Sequence, residues 1–176
     1  MRMTRLTLIQ RLDVRDRELF LQWVAADASW IARTFWRNIT HAGGPVVTIG
    51  VVLTAIVIGE GPLHTAGLQA AVALATTHLA AQILKKLFSR PRPSNVSFEA
   101  LIAMPRCFSF PSGHAIAASS VAFVLTSAFP QFAPLLLPLA AVVAISRVRL
   151  GVHYPGDVLA GQVVALAGAI LTVFLW

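Results

Sequence analysis

Three polar clusters interrupt an otherwise apolar chain, and together they carry what is needed to bind and transfer an anionic group. The first is Lys85, followed after six residues by Arg92-Pro93; the second is Pro111-Ser112-Gly113-His114; the third is Ser146-Arg147, five residues, His153, three residues, Asp157. Lys85, Arg92 and Arg147 suit a phosphoryl dianion: a guanidinium grips two oxygens at once, whereas an ammonium acts as a point charge. Pro111-Ser112-Gly113 reads as a helix start, where free backbone N–H groups and the helix dipole make an anion site. Ser112 can cap that helix, and Gly113 lets the backbone approach a phosphate closely. Asp157 lies four residues after His153, so its carboxylate can accept from Nδ1–H and leave Nε2 unprotonated as a nucleophile. His114 is then placed to protonate a leaving alkoxide.

Other polar residues have plainer readings. His64 and His78 fall in an apolar stretch, and a helix-packing hydrogen bond accounts for His78 better than chemistry does. Arg149 reads as an interfacial anchor, and Lys86, Arg90 and Arg106 as solvated or lipid-facing cations, with Arg106 also able to touch a substrate. The single cysteine, Cys107, excludes an internal disulfide. A two-metal site needs clustered carboxylates, and beyond residue 37 the face carrying the three clusters offers only Glu99 and Asp157. No metal and no cofactor is therefore expected, and no glycine-rich nucleotide cradle is present.

The elements that must position these clusters are membrane helices. The chain is 57% hydrophobic and 12% charged, with a mean hydropathy of +0.75, well outside the composition of water-soluble domains. Its 176 residues predict one domain, with 1–37 an amphipathic interfacial segment and 38–176 a transmembrane catalytic core. In the N-terminal segment Leu19, Phe20, Trp23, Val24, Trp30, Ile31 and Phe35 fall on one side of a helical wheel, which suits the water–lipid boundary. The alternative is that residues 18–37 cross. Apolar runs at 38–59, 62–84, 115–145 (a hairpin turning near Pro130-Gln131) and 158–176 complete an all-α bundle of about five spans, or six if the N-terminal segment also crosses. With five, all fourteen Lys and Arg lie on the face that holds the three clusters. The net charge of +7 then points to anionic lipid rather than nucleic acid. It also favours a cytoplasmic active-site face in a bacterial inner membrane.

At the three clusters the chain resembles the type 2 phosphatidic acid phosphatase superfamily, which includes lipid phosphate phosphatases, glucose-6-phosphatase and vanadium haloperoxidases. All three family signatures occur in order, at helix ends, between Lys85 and Asp157. The resemblance implies that His153 is a nucleophile forming a phosphohistidine, Asp157 its orienting partner and His114 the general acid. Lys85, Arg92, Ser112, Gly113 and Arg147 would then bind the phosphate. It implies a metal-independent phosphatase acting on a membrane lipid phosphate: phosphatidate, phosphatidylglycerol phosphate, undecaprenyl diphosphate or a phosphorylated polyprenyl sugar. The expected partners are that lipid and the bilayer, with no nucleic acid and no obligate protein partner. A vanadate-dependent haloperoxidase and a non-catalytic lipid binder or transporter are the competing readings.

Overall fold

The computed structural model describes residues 8–24, 29–93, 100–102 and 108–176. Among these, seven α-helices follow in order: α1 Leu8–Trp23, α2 Trp30–Ile39, α3 Pro45–Val57, α4 Pro62–Phe88, α5 Gly113–Ala128, α6 Ala133–Arg149 and α7 Pro155–Leu175. The chain is an all-α membrane bundle, as its composition predicts. Arg106, Cys107, Glu99 and Asp27 lie outside the described residues.

Start signals explain most boundaries. Proline occupies the first turn of α3, α4, α6 and α7, where its missing N–H costs nothing. Gly61 turns the chain into α4 at φ 51°, a left-handed conformation that a side chain would resist. Ser89 closes α4 in the same region at φ 44°.

The bundle centre is α4, α5 and α7, which meet through small residues. Ala66, Ala70, Ala73, Thr77 and Ala81 of α4 are buried, as are Gly161, Ala165, Ala169 and Thr172 of α7. These positions recur about every four residues and let backbones approach closely, the usual device where apolar burial alone cannot drive helices together in lipid. Thr77 also meets Ser120 of α5 at 3.2 Å between hydroxyls. Large apolar side chains such as Val46, Val57, Leu159, Val163 and Phe174 point outward, towards lipid.

The helix lengths do not fix the number of spans, and one expectation changes. Three stretches, α4, Pro130–Arg149 and α7, are long and apolar enough to cross, and α2 with α3 forms a fourth only as a pair bent by 44°. The α3 helix has 13 residues and α5 has 16; at about 1.5 Å per residue neither covers a hydrocarbon core of about 30 Å alone. The run from residue 38 is broken by a 3-10 turn at Thr40–Gly43. There Gly43 is tucked so near α5 that a Cβ would lie 2.8 Å from the His114 carbonyl. What changes is the wheel drawn from Leu19 to Phe35, which is two helices: α1 ends at Trp23, and Ser29 starts α2 by accepting from the Ala32 N–H at 3.3 Å.

Of the apolar side chains on that wheel, Phe20 turns inward. It is 1% exposed and packs with Tyr154, Ala115, Ala144, Val148 and Val158, its ring edge-on to Tyr154 at 5.4 Å. Trp30, Ile31 and Phe35 stay exposed. The first helix is thus docked on the bundle end where α4 and α6 finish and α5 and α7 begin.

Candidate active site

That end holds the three polar clusters. The loop after α4 delivers Arg92, which is 3% exposed. Its Nη1 donates to the Val152 carbonyl at 2.9 Å and contacts His153 Nε2 at 3.1 Å. A guanidinium can only donate, so Nε2 is the acceptor and the imidazole proton sits on Nδ1. Nδ1 faces Asp157 Oδ2 at 3.5 Å, an ion-pair separation that is longer than a formed hydrogen bond. The expected orientation of His153 by Asp157 is thus present in outline and not yet tight.

Asp157 is itself firmly held. Its Oδ2 accepts from the Tyr154 N–H at 2.9 Å, closing the first turn of α7, and its Oδ1 accepts from Arg90 Nη1 at 2.8 Å. Burial pushes the His153 imidazole down to about 3, with Arg92 and Arg147 acting in the same direction and the Asp157 carboxylate opposing them. His153 is therefore a neutral base across the physiological range.

Arg147, on the last turn of α6, is 1% exposed and donates from Nη1 to Thr40 Oγ1 at 2.6 Å. Its charge and that of Arg92 both reach His114 and His153, so the two guanidinium groups lie within electrostatic range of both imidazoles. Lys85 Nζ donates to the Phe108 and Pro111 carbonyls at 3.1 and 2.7 Å. This ties the end of α4 to the start of α5.

Ser112 occupies the position before α5, but its side chain makes no capping bond. The hydroxyl is fully buried and has no hydrogen-bond partner. An orphaned buried hydroxyl costs about 1–3 kcal/mol, a cost that a bound anion relieves. Gly113 has open space where a Cβ would be, so its backbone is approachable.

The structure thus brings together Lys85, Arg92, Ser112, Gly113, His114, Arg147, His153 and Asp157. It also brings in residues with other expected roles. Arg90 pairs with Asp157, Asp16 and Asp13 at 2.8, 2.7 and 2.8 Å and lies 4.1 Å above the Tyr154 ring. It is not a lipid-facing cation. Burial opposes its charge, but Asp157 and Asp16 raise it above the ordinary guanidinium value. Arg149 donates to the Trp23 carbonyl at 2.8 Å and so holds the end of α1. His78 meets Gln82 of its own helix at 3.1 Å, away from the site.

Comparison with known proteins decides the relationship. The model of the PAP2 superfamily matches residues 66–176. The chain belongs to the PAP2 superfamily. Phosphatidylglycerophosphatase B of Bacillus subtilis is 31% identical over 154 residues, covering 76% of this chain and 72% of that protein. Decaprenylphosphoryl-5-phosphoribose phosphatase of Mycolicibacterium smegmatis is 41% identical over 84 residues, covering 48% of this chain and 46% of that protein. The match thus spans about half the length of that relative. Among solved structures, a transmembrane PAP2-type phosphatidylglycerolphosphate phosphatase from Bacillus subtilis superposes with a TM-score of 0.77 at 26% identity, covering 94% of this chain and 86% of that one. The matched region contains all three clusters. Asp13 and Asp16, in α1, lie outside the matched region.

Proposed function

We propose that the protein is a membrane phosphatase that hydrolyses a phosphate monoester or pyrophosphate carried by a lipid, through a phosphohistidine and without a metal. One observation carries the reading: Arg92 contacts His153 Nε2 at 3.1 Å. A phosphoryl oxygen bound by that guanidinium would set phosphorus beside the nitrogen lone pair that must attack it.

In the first step the Nε2 lone pair forms a bond to phosphorus while the phosphorus–oxygen bond to the lipid breaks. The oxygen leaves with its electron pair and takes a proton from His114, whose charged form the bound phosphate dianion stabilises against burial and the neighbouring guanidinium groups. The Nδ1 proton of His153 points at Asp157, which offsets the positive charge the ring acquires. In the second step water attacks the phosphohistidine, His114 takes its proton, and inorganic phosphate departs. Arg92, Arg147, Lys85, the Ser112 hydroxyl and the Gly113 N–H stabilise the equatorial oxygens.

The names of the relatives favour a polyprenyl-linked or glycerophospholipid phosphate. The site opens at a bundle end flanked by exposed Leu87, Phe88 and Phe108, where a lipid headgroup would arrive with its chains still in the bilayer. The cations clustered at that end favour its facing the cytoplasm across a bacterial inner membrane.

Phosphate release by the purified protein is the test. A panel of phosphatidate, phosphatidylglycerol phosphate, undecaprenyl diphosphate and a phosphorylated polyprenyl sugar would be offered in EDTA. Turnover of at least one, lost in His153→Asn without loss of the folded state, is the expected result. Undiminished turnover by His153→Asn would sink the mechanism.

A further inference from the structure

Asp13 and Asp16 stand one helical turn apart on α1, and both face the end of the bundle. Asp13 Oδ1 accepts from Arg90 Nη2 at 2.8 Å, and Asp16 Oδ2 accepts from Arg90 Nη1 at 2.7 Å. The same Nη1 donates to Asp157 Oδ1 at 2.8 Å. Asp16 uses its other oxygen to accept from the Gly156 N–H at 2.7 Å, in the turn between His153 and Asp157. The contact is close: a Cβ on Gly156 would meet Asp16 Oδ2 at 2.7 Å. Phe20 and the Arg149–Trp23 hydrogen bond fasten the rest of the helix. A solvated surface helix needs none of this, and an arginine shared among three carboxylates is fixed in position far more tightly than one in an exposed pair.

We propose that α1 is a positioning element of the active site, in which Asp13 and Asp16 hold Arg90 against Asp157 Oδ1 so that Oδ2 is kept facing His153 Nδ1. Arg90, Asp13 and Asp16 are positioning residues and do not touch the substrate. The inference rests on the phosphatase reading above. The charged and titratable groups facing the His153–Asp157 pair come from several elements. They are Arg90 and Arg92 from the loop after α4, Arg147 from α6, and Tyr154 from the turn itself; from α1, Asp13 and Arg17 act on Tyr154, and Asp16 reaches Arg90 and the Gly156 N–H. Removing Arg90 takes the cation off Asp157 Oδ1, so that carboxylate stabilises the charged His153 ring more strongly and the imidazole protonates at a higher pH. Removing Asp16 leaves Arg90 fewer restraints but keeps its charge.

The full-length protein in detergent micelles, with whichever lipid of the panel it turns over best, provides the test. Arg90→Gln is expected to lower kcat by roughly 10–100-fold, the usual cost of losing a group that orients a catalytic side chain, with KM changed by less than about threefold. Its acid limb of kcat/KM should move to higher pH. Asp16→Asn should lower kcat by about 3–10-fold. Added to Arg90→Gln it should have no further effect, because both act through one network. Arg90→Lys, which keeps the charge but loses the fork, should recover only part of the activity. Asp16→Asn is isosteric and keeps the test readable where Arg90→Gln does not fold. If Arg90→Gln and Asp16→Asn both keep kcat and the acid limb of the unchanged protein while His153→Asn is inactive, the positioning role is overturned and the phosphatase reading stands. Additive effects of the two substitutions would overturn it as well. If His153→Asn remains active, the phosphatase mechanism is what has failed.

Discussion

The backbone N–H of Ser112 donates to the carbonyl of Asp157 at 2.9 Å. This bond joins the start of α5 to the first turn of α7, so the Ser112–Gly113 helix start is tied directly to the His153–Asp157 turn. In the proposed mechanism, a phosphate held at Ser112 and Gly113 would keep a fixed relation to the His153 imidazole.

One turn further along α7, Gly161 lies against the Ser112 carbonyl. A Cβ there would sit 2.9 Å from that oxygen and 3.3 Å from the Ala115 Cβ. Backbone cannot yield as a flexible side chain would, so Gly161→Ala should push the two helix starts apart. We expect destabilisation of about 1–3 kcal/mol and a fall in kcat larger than the loss of folded protein explains. Thermal melting alongside turnover checks both; unchanged values would show that the helices reseat without cost.

Ser112→Ala separates stability from binding. Its hydroxyl is buried without a partner, so its removal should raise the melting temperature or leave it unchanged, the reverse of the usual result for a buried polar deletion. Affinity for orthovanadate, a phosphate mimic, should fall by about 5–20-fold, the equivalent of losing a hydrogen bond to a charged group. A drop in stability with unaltered vanadate inhibition would mean that Ser112 serves the fold and not the anion.

The three clusters were legible because each chemical role needs a particular residue type at a particular spacing, and apolar surroundings make such residues conspicuous. The bundle was legible from hydropathy for the same reason. The break in the run from residue 38 was legible only in part: Gly43-Gly44-Pro45 marks a stop and a new start, but the packing of Gly43 against His114 is a long-range contact that the sequence does not show. Arg90 looked like one of several cations beside a membrane, since its partners lie 67 to 77 residues away. One signal was available. The sequence has seven acids, four of them before residue 28, and Asp13, Asp16 and Phe20 share one face of a helix by their i, i+3, i+7 spacing. Acids so scarce in a cation-rich chain were candidates for long-range pairing.

Arg147 and Thr40 offer a test of how the pocket is framed. The 2.6 Å bond from Arg147 Nη1 to Thr40 Oγ1 fixes the guanidinium from the turn between α2 and α3. Thr40→Val keeps the shape and removes the acceptor, so KM should rise by about 3–10-fold with a smaller change in kcat, as expected when a binding group loses its restraint. Arg147→Lys should be far more damaging, because a point charge cannot replace the fork that spans Thr40 and a phosphate oxygen. Equal effects of the two substitutions would show that Arg147 contributes charge and not geometry.

The depressed basicity of His153 yields a prediction about pH. Burial is the main cause, and it holds the imidazole near about 3 in the folded protein against about 6.5 in an unfolded chain. For catalysis the sign is favourable: in the proposed mechanism the free base is the nucleophile, so protonation of His153 should not limit kcat/KM until well below pH 5. For stability the sign is the opposite. Between pH 6.5 and about 3 the unfolded chain binds a proton at this residue that the folded protein does not, so folded stability falls as pH falls through that window. Thermal melts in detergent from pH 7 to pH 4 should therefore show a decline that is shallower in His153→Asn, which has no proton to bind. An equal decline in both proteins would show that His153 is not held neutral, and an acid limb of activity near pH 6.5 tied to His153 would lead to the same conclusion.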